Sequence, residues 1–421
     1  MSNGNPLVVA ALDFGTTFSS WAFSFKHEYE MEPTKVTAKV GYGLESAVSL
    51  KAPTSILIKP DGETFHLFGF DAETEYALLA EENQHTKYFF FQKFKMQLYD
   101  KMAGIDGQNL KIALEPEVAS LYCQHIPGVD SLAMMKAGSK YLILDAGGPI
   151  VVKQFKEVAM VDYLDLMKSF ELKKRTKPPT QGVQKVMVKI PTKLKTLTEE
   201  ITGKVPEDTI AETRYKDGIK IVVDKLRFDI DIMNSFFKES VENIVGHLKE
   251  LFMKPDVDAC DVILMVGGYS ESYHLQEKIK SNFPSKKVVT PNEAGLAVLK
   301  GAVMFGHNPA LIAERKMKFT YGNAKFPGLF HVHVREGDTV KLGEEQPEQI
   351  FHPIFPFLTE VTVNLFCTKD RNPVLVADEG CIEIGTVTVP MPDTTGGCDR
   401  KVGVSFRFGG TEIEVKNVSV M

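Results

Sequence analysis

LVVAALDFGTT, residues 7–17, joins a short apolar run to a turn of small residues, Asp13-Phe14-Gly15-Thr16-Thr17. The run reads as a fully buried strand over 7–12. Two later stretches repeat the arrangement. A strand over Tyr141 to Leu144 ends at Asp145-Ala146-Gly147-Gly148, and a strand over Asp261 to Val266 ends at Gly267-Gly268, ahead of Ser270. Glycines let backbone approach a phosphate closely. The N–H groups and threonine hydroxyls of such a turn donate to phosphate oxygens, and an aspartate beside them holds a magnesium ion through water. A single D-x-G-T-T is more often only a turn. Three such turns in chain order, two of them with an aspartate at the strand end, point to a nucleotide's phosphates. The dinucleotide fingerprint G-x-G-x-x-G and the loop G-x-x-x-x-G-K-[ST] are both absent.

Working outward, a second strand covers Ser20 to Phe25. Residues 54–70 read as two strands joined by Pro60-Asp61-Gly62, a hairpin signal, and Asp71 to Thr74 cap a following helix. Apolar steps of three and four from Leu226 to Leu251 predict one long helix over 225–253. Further helices are expected over 271–282 and, with small residues for close packing, over 292–306. Residues 191–220 show no strong period and read as a surface excursion. After about residue 314 apolar and polar residues alternate in five or more short runs, predicting a β-sandwich-like domain. Phe89 to Phe91 and Met134-Met135 read as core.

The chain has 421 residues, 43% of them hydrophobic and 25% charged, with a net charge of −6. This is globular composition for two or three domains, unsuited to general nucleic-acid or anionic-membrane binding. No apolar run reaches the roughly 18–20 residues of a membrane span, and the N-terminal stretch is read as carrying no signal peptide. Five scattered cysteines without a C-x-x-C pair suggest free thiols in a reducing compartment. Cys123 and Cys260 are expected as small buried residues. His331 and His333 share one strand face without a third metal ligand, and Lys168, Lys173, Lys174, Arg175 and Lys177 read as a solvated face or, less favoured, a weak nuclear-import patch.

LDFGTT, ALEPEVASLYC, LDAGG, SFELKKR, LMVGGYSES and PNEAGLAVLKGAVMFG resemble, in order, the phosphate-1, first connecting, phosphate-2, adenosine-helix, adenosine-loop and second connecting motifs of actin-like ATPases. More narrowly they resemble the 70-kilodalton heat-shock chaperones, in their divergent 12-type branch. The resemblance covers most of 7–322 and weakens over 323–421. It implies an α/β fold: an actin-like, ribonuclease-H-like two-lobed nucleotide-binding domain over 1–313, followed by a β-rich domain over 314–421. It implies ATP and Mg2+ as ligands, a cytoplasmic stress-response chaperone role, and protein clients on the β-rich domain. Asp13 matches the magnesium-side carboxylate, with Gly15, Thr16 and Thr17 cradling phosphates. Lys93 takes the place of the lysine at the γ-phosphate and Glu115 that of the carboxylate orienting water; a solvated lysine and a helix N-terminal acid are the plain alternatives. Asp145, on the metal side, with Gly147 and Gly148 matches phosphate-2. Glu171, Lys174 and Arg175 match the helix bracketing ribose and adenine, and Gly267 and Gly268 the adenosine loop.

The departures are specific. Pro149 and Ile150 stand where the family has a further glycine and a threonine, and proline removes an N–H donor. Glu271 stands where most members have arginine. Lys93 and Glu115 are only 22 residues apart, and Asp145 and Glu171 only 26, so the domain is expected to be incomplete around 94–114 and 149–170. Three functions stay open: an ATP-binding chaperone-like protein with weak or absent hydrolysis, a nucleotide-independent interaction protein, and a small-molecule kinase of the same superfamily.

Overall fold

The computed structural model describes residues 6–15, 18–38, 41–42, 48–49, 51–92, 94, 111–125, 141–145, 159, 162–163, 165–166, 169–170, 185–213, 215–325 and 328–420. The chain divides into two compact units. The first comprises Met1–Asp106 and Glu115–His307, the second Gly107–Leu114 and Asn308–Met421. The main division thus falls at His307/Asn308, six residues before the change of sequence period. Among the described residues no helix is long and apolar enough to cross a membrane.

The first unit is α/β. Its opening strand, Val8–Phe14, pairs antiparallel with Phe18–Phe25, in register from Val8 opposite Phe25 to Phe14 opposite Ser19. Period-two alternation puts Val9 and Ala11 inside, while Val8 and Leu12 stay 44% and 70% exposed. The run is therefore half-buried rather than fully buried, because only one face of the hairpin is covered. The cover is the helix Ala297–His307, where Leu299 and Val303, with Leu296 just ahead, pack on Val9, Ala11 and Ala22.

The expected hairpin forms from Ser55–Ile58 and Phe65–Phe68, with Phe89–Gln92 on the other side of the first strand. Asp61 closes its turn by accepting the N–H groups of Glu63 and Thr64 at 3.0 and 2.8 Å. Of the three phenylalanines 89–91, only Phe90 turns inward, stacking on Tyr76. Phe89 and Phe91 point out from an alternating strand and are exposed. Met134-Met135 lie outside the described residues.

A parallel sheet follows: Tyr141–Asp145, Val262–Val266 and Lys287–Val289, with the fully buried middle strand between its neighbours. Helices Lys238–Phe252 and Tyr273–Asn282 cover one face, Val241, Val245, Leu248, Leu275 and Ile279 packing on Ile263 and Met265. The single helix expected over 225–253 is three elements. Lys225–Asp229 is the central strand of a small antiparallel sheet with Lys185–Lys189 and Ile219–Val222. Helix Ile230–Ser235 then precedes Lys238–Phe252. Leu226 stands a helical step of four from Ile230 but also two from Phe228, and two flanking strands decide for the strand. The supposed excursion 191–220 holds helices Thr192–Thr202 and Pro206–Ala211. No residue of either is buried, though Leu194, Leu197 and Ile201 give the first a helical period of three and four.

The second unit is β-rich. Leu329–Val334, Thr320–Lys325, Glu360–Thr368 and Ile382–Pro390 form one antiparallel sheet, and Gln349–Phe351, Val402–Arg407 and Glu414–Val420 another. Val361, Val363, Leu365, Val402, Val404, Phe406 and Phe408 share its core. Among the described residues no cysteine forms a disulfide. Cys123 and Cys260 are buried, and burial pushes the Cys123 thiol up to about 12.

Candidate functional site

The inner face of the first hairpin changes character along its length. Val9 and Ala11, with Ala22 opposite, meet the helix Ala297–His307. The next inward position is Asp13, whose cross-strand partner is Ser20. Directly opposed residues of an antiparallel pair present their side chains on the same face. Asp13 is therefore held where the apolar packing ends. Lys51 comes to it from the neighbouring edge, its Nζ 2.8 Å from Asp13 Oδ2, with both side chains largely shielded from solvent. Ala52–Pro53 pairs with Phe18 and Ser19. The Thr54 hydroxyl then donates to the Gly15 carbonyl at 2.6 Å, and Ser19 and Thr54 hydroxyls lie 2.8 Å apart. Gly15 is required: a Cβ there would stand 2.3 Å from the Phe18 carbonyl oxygen. Thr16 and Thr17 lie outside the described residues.

The second and third turns leave adjacent parallel strands. Asp145 is opposite Val266, so the ends carrying Asp145 and Gly267 lie side by side. The crevice beyond the carboxyl ends of parallel strands is where such sheets bind ligands. Gly267 has φ +86°, its N–H donates to the Ala294 carbonyl at 3.0 Å, and the short 3-10 turn Gly268–Glu271 follows. Glu271, the departure from arginine, accepts the Gly295 N–H at 3.0 Å and ties this turn to the one that starts the next helix. That next helix is Ala297–His307, so one element supports both the Asp13 hairpin and the Gly267 turn. Beside it, Lys300 Nζ lies 2.7 Å from Glu293 Oε2 and 3.2 Å from the Tyr122 hydroxyl. Burial pulls the Lys300 value down, but its bonds to Glu293 and Tyr122 outweigh that and hold it above the ordinary lysine value.

Glu115 opens the helix Glu115–Cys123, exposed and in the first turn with Glu117, where an acid favours the helix dipole. That helix crosses Ala297–His307 backbone to side chain-free backbone: a Cβ on Gly301 would stand 1.5 Å from the Val118 carbonyl oxygen. The small residues expected to permit close packing do so here. Lys93, Gly147, Gly148, Pro149, Ile150, Glu171, Lys174 and Arg175 lie outside the described residues, as does the Asp145 side chain. Among the described residues no group of three or more His, Cys, Asp or Glu could hold a metal. His331 and His333 are neighbours 5.6 Å apart, and burial holds His333 down at about 4.

Sequence reasoning missed Lys51, Ser20, Lys300 and Tyr122. Lys51 and Ser20 belong to no motif; only the strand register brings them to Asp13. The described part of the site suits a magnesium-bound nucleotide in its donor chemistry. A shielded carboxylate is a hard oxygen ligand, and an ammonium and a hydroxyl beside it suit phosphate oxygens.

One curated human protein aligns with 98% of this chain and 90% of its own length at 22% identity. It is heat shock 70 kDa protein 12A. The mouse protein of that name aligns equally well, and human heat shock 70 kDa protein 12B aligns at 22% over 98% of this chain and 89% of its own. The alignment with 12A is 612 positions long and this chain has 421 residues, so at least 191 positions, 612 less 421, have no residue here. Among solved structures, the chain is similar to MreB 5 of Spiroplasma citri bound to AMPPNP, at 11% identity and a TM-score of 0.40, covering 72% of this chain and 96% of that one. No protein-family model matches the chain.

Proposed function

We propose that this chain is an ATP-binding, chaperone-like protein of the heat shock 70 kDa protein 12 type, built on an actin-like nucleotide-binding unit, with hydrolysis weak or absent. The observation that carries the reading is the parallel register that sets Asp145 beside Val266 and Gly267 at one end of the sheet. The helix Ala297–His307, whose leading turn is bonded to the Gly267 turn and which packs on the Asp13 hairpin, and the likeness to 12A along 98% of the chain, support it. Asp13 and Asp145 would face the metal, with Gly15, Thr16, Thr17, Gly147 and Gly148 around the phosphates, and Gly267, Gly268, Glu171, Lys174 and Arg175 around the nucleoside. When bound, magnesium neutralises phosphate charge, so turnover is mostly positioning and electrostatics.

Low turnover follows from what the phosphate-2 segment lacks. Pro149 and Ile150 supply neither the N–H nor the hydroxyl of the family's turn, and losing one donor to a developing charge costs about 10²–10³ in rate. Lys93 and Glu115 would serve catalysis, but with a shortened segment between them. Phosphate release from Mg-ATP should therefore stay near the uncatalysed background while ATP binding is measurable. Turnover at the rate of an ordinary heat-shock ATPase would contradict the impaired-hydrolysis part of the reading.

A further inference from the structure

We propose that Lys51 is a nucleotide-binding residue, holding Asp13 in the nucleotide-free chain and passing to a phosphate oxygen when Mg-ATP binds. This rests on the ATP-binding reading and adds to it a residue that no motif contains. Three observations carry it. First, Lys51 reaches Asp13 at 2.8 Å inside a largely shielded pair, 26% and 12% exposed, rather than in open solvent. Second, the strand end bearing Lys51 is clasped to the Asp13–Gly15 turn by the Thr54 hydroxyl on the Gly15 carbonyl and by the Ser19–Thr54 contact. The ammonium is thus held at the turn by two bonds besides its own. Third, the Ser20 hydroxyl, opposite Asp13 and 8% exposed, has no hydrogen-bond partner among the described residues. A buried hydroxyl costs stability unless something completes it. Carboxylate, ammonium and a hydroxyl without a partner among the described residues thus stand together beside the turn.

The exchange conserves charge pairing. Without ligand, the carboxylate is neutralised by the ammonium. With Mg-ATP, the carboxylate turns to the cation and the ammonium to a phosphate oxygen, so neither charge is left buried alone. Lysine suits this role as a compact point charge on a long flexible stem. The pair also predicts that magnesium alone binds poorly, because the carboxylate is already occupied.

The full chain provides its own reporter. Trp21 is the sole tryptophan, it neighbours Ser20, and it is opposite Leu12 on the hairpin. Mg-ATP titrations of wild type, Lys51→Met and Lys51→Arg, followed by Trp21 fluorescence and calorimetry, test the assignment. A charge-assisted bond to phosphate predicts a weakening of about 10- to 100-fold in Lys51→Met, with most of it recovered in Lys51→Arg. A purely structural counter-ion predicts the reverse: Lys51→Met frees Asp13, so magnesium and Mg-ATP bind as well as or better than in wild type, and that result overturns the proposal. A melting scan of each ligand-free variant separates loss of folding from loss of binding; if Lys51→Met is unfolded, Lys51→Gln replaces it with the same expected weakening. A wild-type chain silent to Mg-ATP overturns the ATP reading and this proposal together, whereas equal affinity of wild type and both variants overturns this proposal alone.

Discussion

Replacing Gly301 by alanine adds one methyl group at the tightest helix crossing described in the first unit. The new Cβ would stand 1.5 Å from the Val118 carbonyl oxygen and 3.1 Å from the Val118 Cα. Ordinary contact begins near 3.4 Å, so Glu115–Cys123 and Ala297–His307 must separate by about 2 Å. The obstacle is backbone, which no rotamer change can move. Overpacking that side chains can absorb costs about 1–3 kcal/mol; a backbone clash of this size lies at the top of that range or above it. Alanine's helix preference returns about 1 kcal/mol, leaving a net loss of about 2 kcal/mol or more. For a unit of about 300 residues that lowers the melting temperature by about 3 °C or more. Trp21 fluorescence reports the transition, since its hairpin packs on the same helix. Gly246→Ala is the control. It sits mid-helix with nothing within 4 Å of the added carbon, so it should stabilise by about 0.5–1 kcal/mol. A Gly301→Ala protein melting at or above wild type would refute the packing argument.

Acid should loosen the second unit before the pH reaches 4. Burial holds His333 at about 4 against an ordinary 6.5, so the neutral ring is favoured in the fold. Its contribution is complete above pH 6.5 and is lost as pH falls toward 4, up to about 3 kcal/mol; His333→Phe should flatten that part of a stability–pH curve, and an unchanged curve would contradict it. Arg400 donates to the carbonyls of Gly397, Met391, Asp393, Pro356 and Leu358 at 2.7–3.3 Å and is 7% exposed. Arg400→Met leaves those acceptors without their donor, so hydrogen exchange should rise over 354–358, with a loss of about 3 kcal/mol or more; unchanged protection there would argue against the arginine as the clasp.

The elements legible in sequence were those with one buried face and a clear terminator. The 54–70 hairpin announced itself through Asp61 and Gly62, and the β-rich unit through strict alternation. The glycine turns after Phe14 and Val266 were legible because no side chain fits there. Elsewhere the period misled. Leu226 and Ile230 fit a helical step of four until two neighbouring strands claim Leu226, with Phe228 at the alternate position. Thr192–Thr202 has Leu194, Leu197 and Ile201 at helical steps, but its four threonines, weak helix formers, mask them. At the site, Asp13 was legible from its motif, but Lys51 and Ser20 were not, because pairing across 38 residues for Lys51 and across the hairpin for Ser20 leaves no local mark.

Direct calorimetric titration of the full chain with Mg-ATP, beside the same titration of Asp13→Ala, tests the central claim. Binding by the wild-type chain at one nucleotide per chain, lost or weakened at least tenfold in Asp13→Ala while the variant stays folded, is the predicted result. No heat and no change in Trp21 fluorescence at millimolar Mg-ATP, or equal binding by a folded Asp13→Ala protein, would contradict it.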